Sequence, residues 1–450
     1  MAKEYKDLVV GLDIGTAKIM VVVAEVQPNG ELKLAGLGVA ASHGLKRGVV
    51  VNIDATVQSI QQALKEAELM ADCRIARVYT GITGSHIRGI NSSGMVAIKD
   101  REVTATDVAR VIETAKAINI STDQRLLLVE PQEFVIDGQE VKEPIGMSGI
   151  RLEAKVHIVT GAQSAAENII KCVRRCGLEV DQLMLNPLAS SQAVLTDDEK
   201  ELGVALVDIG AGTTDVAIFS GGAIRHTAVI PIAGDQVTND IAMALRTPTP
   251  AADEIKTRYA CVVPQMVDPE QTVSVPGMGD RPARTMARQT LAAVVEPRYE
   301  ELFSLVQYEL ERSGYADQLA AGVVMTGGSA KIEGAVQLAE SIFHLPVRIG
   351  MPKSLRLGGM EELLHNPIYA TGIGLLMYGK QRLAASGAGA QVRRRGDQGD
   401  GAGDRQEETR RWHRPLQHAT LSGAPAADPQ PPSPQRSPRW PSPRCRRAGG

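Results

Sequence analysis

Two short segments carry residues able to hold a phosphate group and its counter-ion: Val10-Gly11-Leu12-Asp13-Ile14-Gly15-Thr16 near the start, and Val207-Asp208-Ile209-Gly210-Ala211-Gly212-Thr213-Thr214-Asp215 in the middle. Apolar runs flank each Asp-Ile-Gly, Leu8 to Leu12 and Ile19 to Ala24 around the first, Val204 to Val207 and Val216 to Phe219 around the second. Each motif is therefore expected at the turn of a strand-turn-strand hairpin. Gly15, Gly210 and Gly212 permit positive φ and bare backbone, which lets amide N–H groups converge on an anion, and the threonine hydroxyls add donors. An Asp closing the first strand suits magnesium, which takes oxygen ligands, keeps several waters and bridges to phosphate oxygens. One glycine turn after a strand is commonplace. Two, with Asp in the same place, imply two similar halves closing on one nucleotide from opposite sides.

A third turn ends the apolar strand Val323-Val324-Met325-Thr326 in Gly327-Gly328-Ser329, where bare backbone lets a flat ring or ribose lie close. Asp253 and Lys256, three apart on an expected helix, point the same way; they form either a contact to ribose or base or a surface ion pair.

These turns need a scaffold larger than one core, and 450 residues provide for two or more domains. A net charge of -3 and a pI near 6.3 give no reason to expect a nucleic-acid partner. Five cysteines in such a length make no disulfide framework. Cys172 and Cys176 fall on the apolar face of a helix read from a capping box at Ser164 to Gly177 and are expected in the core. With no secretory signal and no apolar stretch of about 18 residues, the folded part is expected in the cytosol.

Asp54 is expected to cap a helix with Val57, Ile60, Leu64 and Ala67 on one face. Residues 77–128 read as an inserted α+β unit whose helix opens at Thr104 and Asp107. The strand Ala154 to Thr160, the Ser164 helix and Val180 to Leu185 then lead back into the first domain. Gly234-Asp235 opens a further helix, and residues 247–286 read as a smaller subdomain. From Ala384 onward there is no Lys, Ile, Phe or Tyr, Arg, Pro, Gly and Ala dominate, and Trp412 and Trp440 appear. Such a composition buries too little apolar surface to offset ordering entropy, so residues 384–450 are expected to be a disordered Arg/Pro/Gly/Ala-rich tail, consistent with a shifted reading frame in a GC-rich gene.

The order of hairpin, hairpin, Asp-x-x-Lys helix and Gly-Gly turn resembles the actin, Hsp70 and sugar-kinase superfamily of ATP-binding proteins. Within it the chain is similar to the FtsA family of bacterial cell division proteins, in Leu8-Val9-Val10-Gly11-Leu12-Asp13-Ile14-Gly15-Thr16-Ala17-Lys18, in Ala67-Glu68-Leu69-Met70-Ala71-Asp72-Cys73, and in Gly146-Met147-Ser148-Gly149-Ile150-Arg151-Leu152-Glu153-Ala154-Lys155-Val156-His157. Arg288-Gln289-Thr290-Leu291 and Glu296-Pro297-Arg298-Tyr299 continue the resemblance, which spans residues 7 to about 380.

The resemblance implies an α/β, actin-like (ribonuclease H-like) two-domain ATPase fold with an inserted α+β subdomain. The first actin-like domain would comprise 1–84, 160–197 and about 366–383, the inserted FtsA-specific subdomain 85–159, the second actin-like domain 198–236 and 300–365, and a smaller subdomain 237–299. It further implies ATP and magnesium as ligands. Asp13 and Asp208 would handle magnesium, directly or through water. Gly15, Thr16, Ala17, Gly210, Gly212, Thr213 and Thr214 would cradle phosphates, and Lys18 would screen their charge. Gly327, Gly328 and Ser329 would face the adenosine with Asp253 and Lys256 beside it.

Hydrolysis needs a residue that orients the attacking water. Hsp70-like ATPases carry an acid in the strand-to-helix turn before the second hairpin, where this chain has Leu185-Asn186-Pro187-Leu188. Gln192 echoes the water-orienting glutamine region of actin. His157 sits in an apolar strand, where a hydrogen-bonded structural role is expected. The expectation is ATP binding with slow turnover at most, nucleotide setting domain closure and self-association. By resemblance the chain would tether the FtsZ ring to the inner face of the cytoplasmic membrane, meet other division proteins and polymerise head to tail. Arg284 and Arg298 would receive the FtsZ C-terminal tail, since Arg forks onto acidic groups. The alternatives are a small-molecule kinase of the sugar or acetate type and an actin-like ATPase of pilus assembly or cell shape. One departure stands out: members of the family end in a short amphipathic helix that lies in the membrane interface, and the proline-rich stretch Pro415 to Pro443 has none of that pattern.

Overall fold

The computed structural model describes residues 8–352 and 365–396. Strand β1 (Leu8–Ile14) pairs antiparallel with β2 (Lys18–Val26), from Leu8 opposite Glu25 to Ile14 opposite Ile19, and β3 (Leu32–Ala41) adds to the far side of β2. Two parallel strands, β6 (Arg77–Ile82) and β11 (Glu179–Leu185), extend the other side, giving the order β11-β6-β1-β2-β3. The β1 and β2 interiors are buried without alternation, because both faces are covered. Helix α1 (Ile53–Ala71) lies on β2 and β3 through Val57, Ile60, Leu64 and Ala67. Helix α10 (Ala370–Gly396) comes close enough to β1 that a Cβ on Gly11 would fall 2.7 Å from the Gly372 carbonyl oxygen.

A second five-stranded sheet repeats the plan. Strands β12 (Val204–Ile209), β13 (Thr214–Ser220) and β14 (Ala223–Ile230) form the antiparallel side, β17 (Val323–Thr326) and β18 (Val347–Ile349) the parallel side, in the order β14-β13-β12-β17-β18. Its core joins residues of α6 (Gly234–Leu245), α8 (Arg288–Ser313) and α9 (Ala335–Phe343), with Tyr299, Phe303 and Phe343 stacked edge to face. Helix α7 (Thr249–Tyr259) packs on α6, and the small hairpin β15 (Thr272–Val275) and β16 (Arg284–Ala287) follows it. The sheet carrying β1 is the first lobe below, and the one carrying β12 the second.

Between β6 and β11 the chain builds a separate sheet, β7 (Arg88–Ala97), β8 (Gln124–Ile136), β9 (Gln139–Val141) and β10 (Arg151–Ala162), in the order β7-β10-β8-β9. Helix α2 (Ala105–Ala115) covers it, opened by the expected capping box of Thr104 and Asp107. Three expectations are corrected here. The stretch Ala154 to Thr160 belongs to β10, a central strand of this inserted sheet, and Arg77 to Ile82 belongs to the first lobe. The cap of α1 is Asn52, whose side chain accepts from the Ala55 amide; Asp54 lies in the first turn and pairs with Arg175. Helix α3 (Gln163–Arg175) starts directly from β10, so Ser164 is already helical and caps nothing. Cys172 is buried and Cys176 half-buried, both as free thiols pushed up by burial.

Helix α10 runs past the tail boundary expected at Ala384, in keeping with the helix propensity of its alanines and arginines once a helix is under way. The rest of the tail, 397–450, including Trp412, Trp440 and Pro415 to Pro443, lies outside the described residues. Among the described residues no helix is long and apolar enough to cross a membrane.

His157 is buried where β10 meets β14. The Asn91 amide donates to the Arg225 carbonyl at 3.0 Å, which turns its Oδ1 to His157 Nδ1 at 2.6 Å; Nδ1 therefore carries the proton, and Nε2, 2.9 Å away, accepts from the Thr227 hydroxyl. Burial pulls this imidazole from 6.5 down to about 4. The unfolded chain thus binds more protons between those values, so the neutral histidine's contribution is intact at pH 7 and is lost as pH falls from 6.5 toward 4. The full loss is about 3 kcal/mol. Urea melts at pH 7 and 4.5 should differ by about 2 kcal/mol more in the wild type than in His157→Gln, since pH 4.5 still lies above the folded value.

Candidate functional site

A cleft of about 560 Å³ lies where the turns of β1-β2 and β12-β13 face each other. Asp13, Gly15, Thr16, Ala17 and Lys18 line one side, and Asp208, Gly210, Ala211, Gly212 and Thr213 the other. The turn Arg47-Gly48, between β4 (Leu45–Lys46) and β5 (Val49–Val50), reaches over them, and the Gly48 amide donates to Thr16 Oγ1 at 3.2 Å. Gly327, Gly328, Ser329, Asp253 and Lys256 close the far end. The structure thus brings together most of the residues singled out from the sequence.

The reason for the glycines differs from the one expected. None of Gly15, Gly210 and Gly212 adopts positive φ. Room decides at Gly212, where a Cβ would stand 2.5 Å from Thr16 Oγ1 and 2.9 Å from Arg47 Cα of the opposite lobe. The Gly15 and Gly210 amides close their own turns onto the Lys18 and Thr213 carbonyls at 3.0 and 2.9 Å, which leaves the cradle to the residues between. Positive φ is needed at Gly327, at 88°.

The acids are buried. Asp208 is held by the Ser190 and Thr371 hydroxyls, so that helix α4 (Asn186–Val194) and α10 both reach the second hairpin. Burial, with Asp13 adding, pushes its carboxyl up to about 6 against those hydrogen bonds. Burial pushes Asp215 further, to about 8; Thr83 Oγ1 donates to its Oδ1, while Asp208 and Asp13 raise it. Lys18 stands 3.4 Å from Asp13. Packed carboxyls of this kind favour a cation. Among the described residues no group of three or more His, Cys, Asp or Glu side chains could hold a metal alone.

At the other end Lys256 Nζ bonds Asp253 Oδ1 and Thr238 Oγ1, each at 2.7 Å, and the Gly234 carbonyl at 3.2 Å; Lys256 is largely buried and Asp253 exposed, so the ion pair sits at the rim of the cleft. Ser329 Oγ donates to the Gly210 carbonyl at 2.8 Å, and Tyr299 donates to the Ser329 carbonyl at 2.7 Å, which fastens the third turn to the second hairpin.

Two residues expected at the nucleotide lie elsewhere. Thr214 turns inward and donates to the Ile232 carbonyl, as the first residue of β13 must when its neighbour Thr213 faces the cleft. Gln192 lies outside the cleft lining and accepts from Gln381 at 3.3 Å. Arg284 and Arg298, expected at a separate surface and not at the nucleotide, are already engaged: Arg284 donates to the Leu245 carbonyl, and Arg298 forks onto Asp240 at 2.6 and 3.1 Å and bonds Glu301. Conversely Thr83, Asp215, Ser190 and Thr371 were missed, and Asn186, read only as the place of an absent acid, lines the cleft. Only Asp215 was readable, because the hairpin register sets it opposite Asp208.

Comparison with known proteins places this geometry in a lineage. Residues 205–374 match the family "Cell division protein FtsA", and residues 84–160 match "SHS2 domain inserted in FTSA". The cell division protein FtsA of Pseudomonas aeruginosa is 62% identical over 376 residues, 83% of this chain and 90% of that protein. The chain belongs to the FtsA family of cell division proteins. In solved structures the fold recurs in a PilM-PilN type IV pilus biogenesis complex (TM-score 0.60, 18% identity, 83% of this chain and 98% of that one) and in MreB5 of Spiroplasma citri bound to ADP (TM-score 0.51, 14% identity, 86% and 99%). The α/β, actin-like fold with an inserted unit is thereby shown, and the family makes this a cell division protein.

Proposed function

We propose that the cleft binds ATP with magnesium and that the bound nucleotide fixes the closure of the two lobes in a scaffold that tethers the FtsZ ring to the inner face of the cytoplasmic membrane. The observation that carries the nucleotide reading is the facing pair of Asp-bearing hairpins whose carboxyls, Asp13 and Asp208, are both buried at the cleft. Asp13 and Asp208 would hold magnesium through oxygen or water, Thr16, Ala17, Gly212 and Thr213 would meet phosphates, and Gly327 to Ser329 with Asp253 and Lys256 would flank the adenosine. MreB5, which shares the fold, was captured with ADP. Magnesium when bound would neutralise phosphate charge; this chain's own part is to orient the phosphates and exclude water.

The FtsZ C-terminal tail, other division proteins and further copies of this chain are the proposed partners, with peripheral localisation at the division site. Arg284 and Arg298 would receive the tail. Because Arg298 already forks onto Asp240, an acidic peptide has to displace that partner, so the arginine's gain is modest. In a pull-down, an FtsZ tail peptide should bind the full chain, and Arg298→Ala should weaken it about tenfold, worth about 1.4 kcal/mol. No binding to the wild type would remove the FtsZ reading. Liposome flotation tests the membrane association separately.

A further inference from the structure

The inserted sheet is joined by chain to the first lobe, yet its polar side chains reach the second. From β7, Asn91 Nδ2 donates to the Arg225 carbonyl at 3.0 Å; from β8, Gln132 Nε2 donates to the Ile224 carbonyl at 2.8 Å; from β10, His157 accepts from Thr227 at 2.9 Å. The Arg225 guanidinium, 10% exposed, meets Glu133 of β8, which also holds Lys155 at 2.9 Å. Three strands of one unit therefore converge on the segment Ile224 to Thr227 of β14, the edge strand of the opposite lobe's sheet. There is no slack in the fit, since a Cβ on Gly89 would fall 2.5 Å from Thr227 Oγ1. The same seam touches the cleft: Thr83, at the entrance to the inserted unit, bonds Asp215, and Asp215 pairs in register with Val229 of β14.

We propose that this seam is a latch, through which closure of the lobes on nucleotide clamps the inserted unit to β14 and opening of the lobes frees it. Hydrogen bonds fail within a few tenths of an ångström and a few tens of degrees, so β14 cannot rotate against β7, β8 and β10 without breaking several at once. An arginine–carboxylate pair so little exposed is costly to leave half-made, which makes the seam two-state instead of gradually yielding. The inserted unit's outer surface is thus presented to partners in an orientation set by the cleft. The latch rests on the nucleotide reading above.

The test uses the full chain. Hydrogen exchange of residues 88–97 and 151–162 is expected to slow at least fivefold when magnesium and ATP are added to the wild type. Thr227→Val and, as the milder change, Glu133→Gln are each expected to speed release of a fluorescent ATP analogue at least fivefold and to abolish that protection. If ATP binds, but the two strands exchange alike with and without it, or release from folded Glu133→Gln is unchanged, the latch is wrong while the nucleotide reading stands. Failure of the wild type to bind ATP overturns both.

Discussion

Gly327→Ala is expected to lower ATP affinity at least a hundredfold while the chain stays folded. Gly327 closes β17 at φ 88° and ψ 169°, an extended positive-φ conformation used almost only by glycine, which costs an alanine about 1–3 kcal/mol. The added methyl would also stand 2.5 Å from both Asp208 Oδ1 and the Ile209 carbonyl oxygen. The second contact is with backbone of β12, which side-chain motion cannot relieve, so the turn must lift away from the second hairpin. That displaces the Asp208 carboxylate from the Ser190 and Thr371 hydroxyls and shifts Ser329, whose hydroxyl fastens the turn to Gly210. A hundredfold corresponds to about 2.7 kcal/mol, within reach of strain and overlap together. Gly328→Ala is the control: its φ is ordinary and its Cβ would meet only Ile368 Cγ2 at 3.6 Å, so binding should change less than threefold. Calorimetric titration with magnesium and ATP measures both. Equal affinities for the two folded variants would show that the third turn does not border the nucleotide.

The contrast between those neighbouring glycines shows what the sequence discloses and what it withholds. Apolar runs bracketing Asp-Ile-Gly suffice to place two hairpins, because strands buried on both faces read as continuous apolar runs, whereas the order of the strands around them is seen only in the fold. Which property of glycine matters is not written in the residue: Gly212 is required for space against Arg47 across the cleft, a neighbour remote in sequence, and Gly327 for φ. The same limit explains the missed residues. Ser190 and Thr371 look like any small polar residues in α4 and α10 until folding sets their hydroxyls against Asp208. Cap positions erred for a local reason, since Asn52 and Asp54 are both good N-caps and tertiary packing chooses the helix start. That Arg298 is already forked onto Asp240, 58 residues away, is likewise set by the fold and not by residue type.

Asn186→Asp is expected to raise steady-state ATP turnover at least tenfold at saturating magnesium and ATP. Asn186 opens α4 ahead of Pro187 and lines the cleft, and its Oδ1 is buried without a hydrogen-bond partner. It is seated tightly, for a Cβ on Gly81 would fall 2.2 Å from that oxygen. An amide there can orient a water but cannot take its proton. Aspartate has the same shape, so the fold has little to absorb, and a carboxylate in the first turn of a helix is favoured by the peptide dipoles. Burial at the cleft wall opposes its ionisation and raises its affinity for a proton toward the range of an effective general base. General bases contribute about 10²–10⁴-fold when well placed, so tenfold is a conservative threshold. Affinity for ATP should fall less than fivefold, which separates chemistry from binding, and Gln192→Ala, outside the cleft, should leave turnover unchanged. Phosphate release under single-turnover conditions measures the step directly. An unchanged rate in a folded Asn186→Asp that still binds ATP would mean that no water reaches this corner of the cleft in line with the γ-phosphate, and that slow turnover is set by lobe geometry and not by the missing carboxylate.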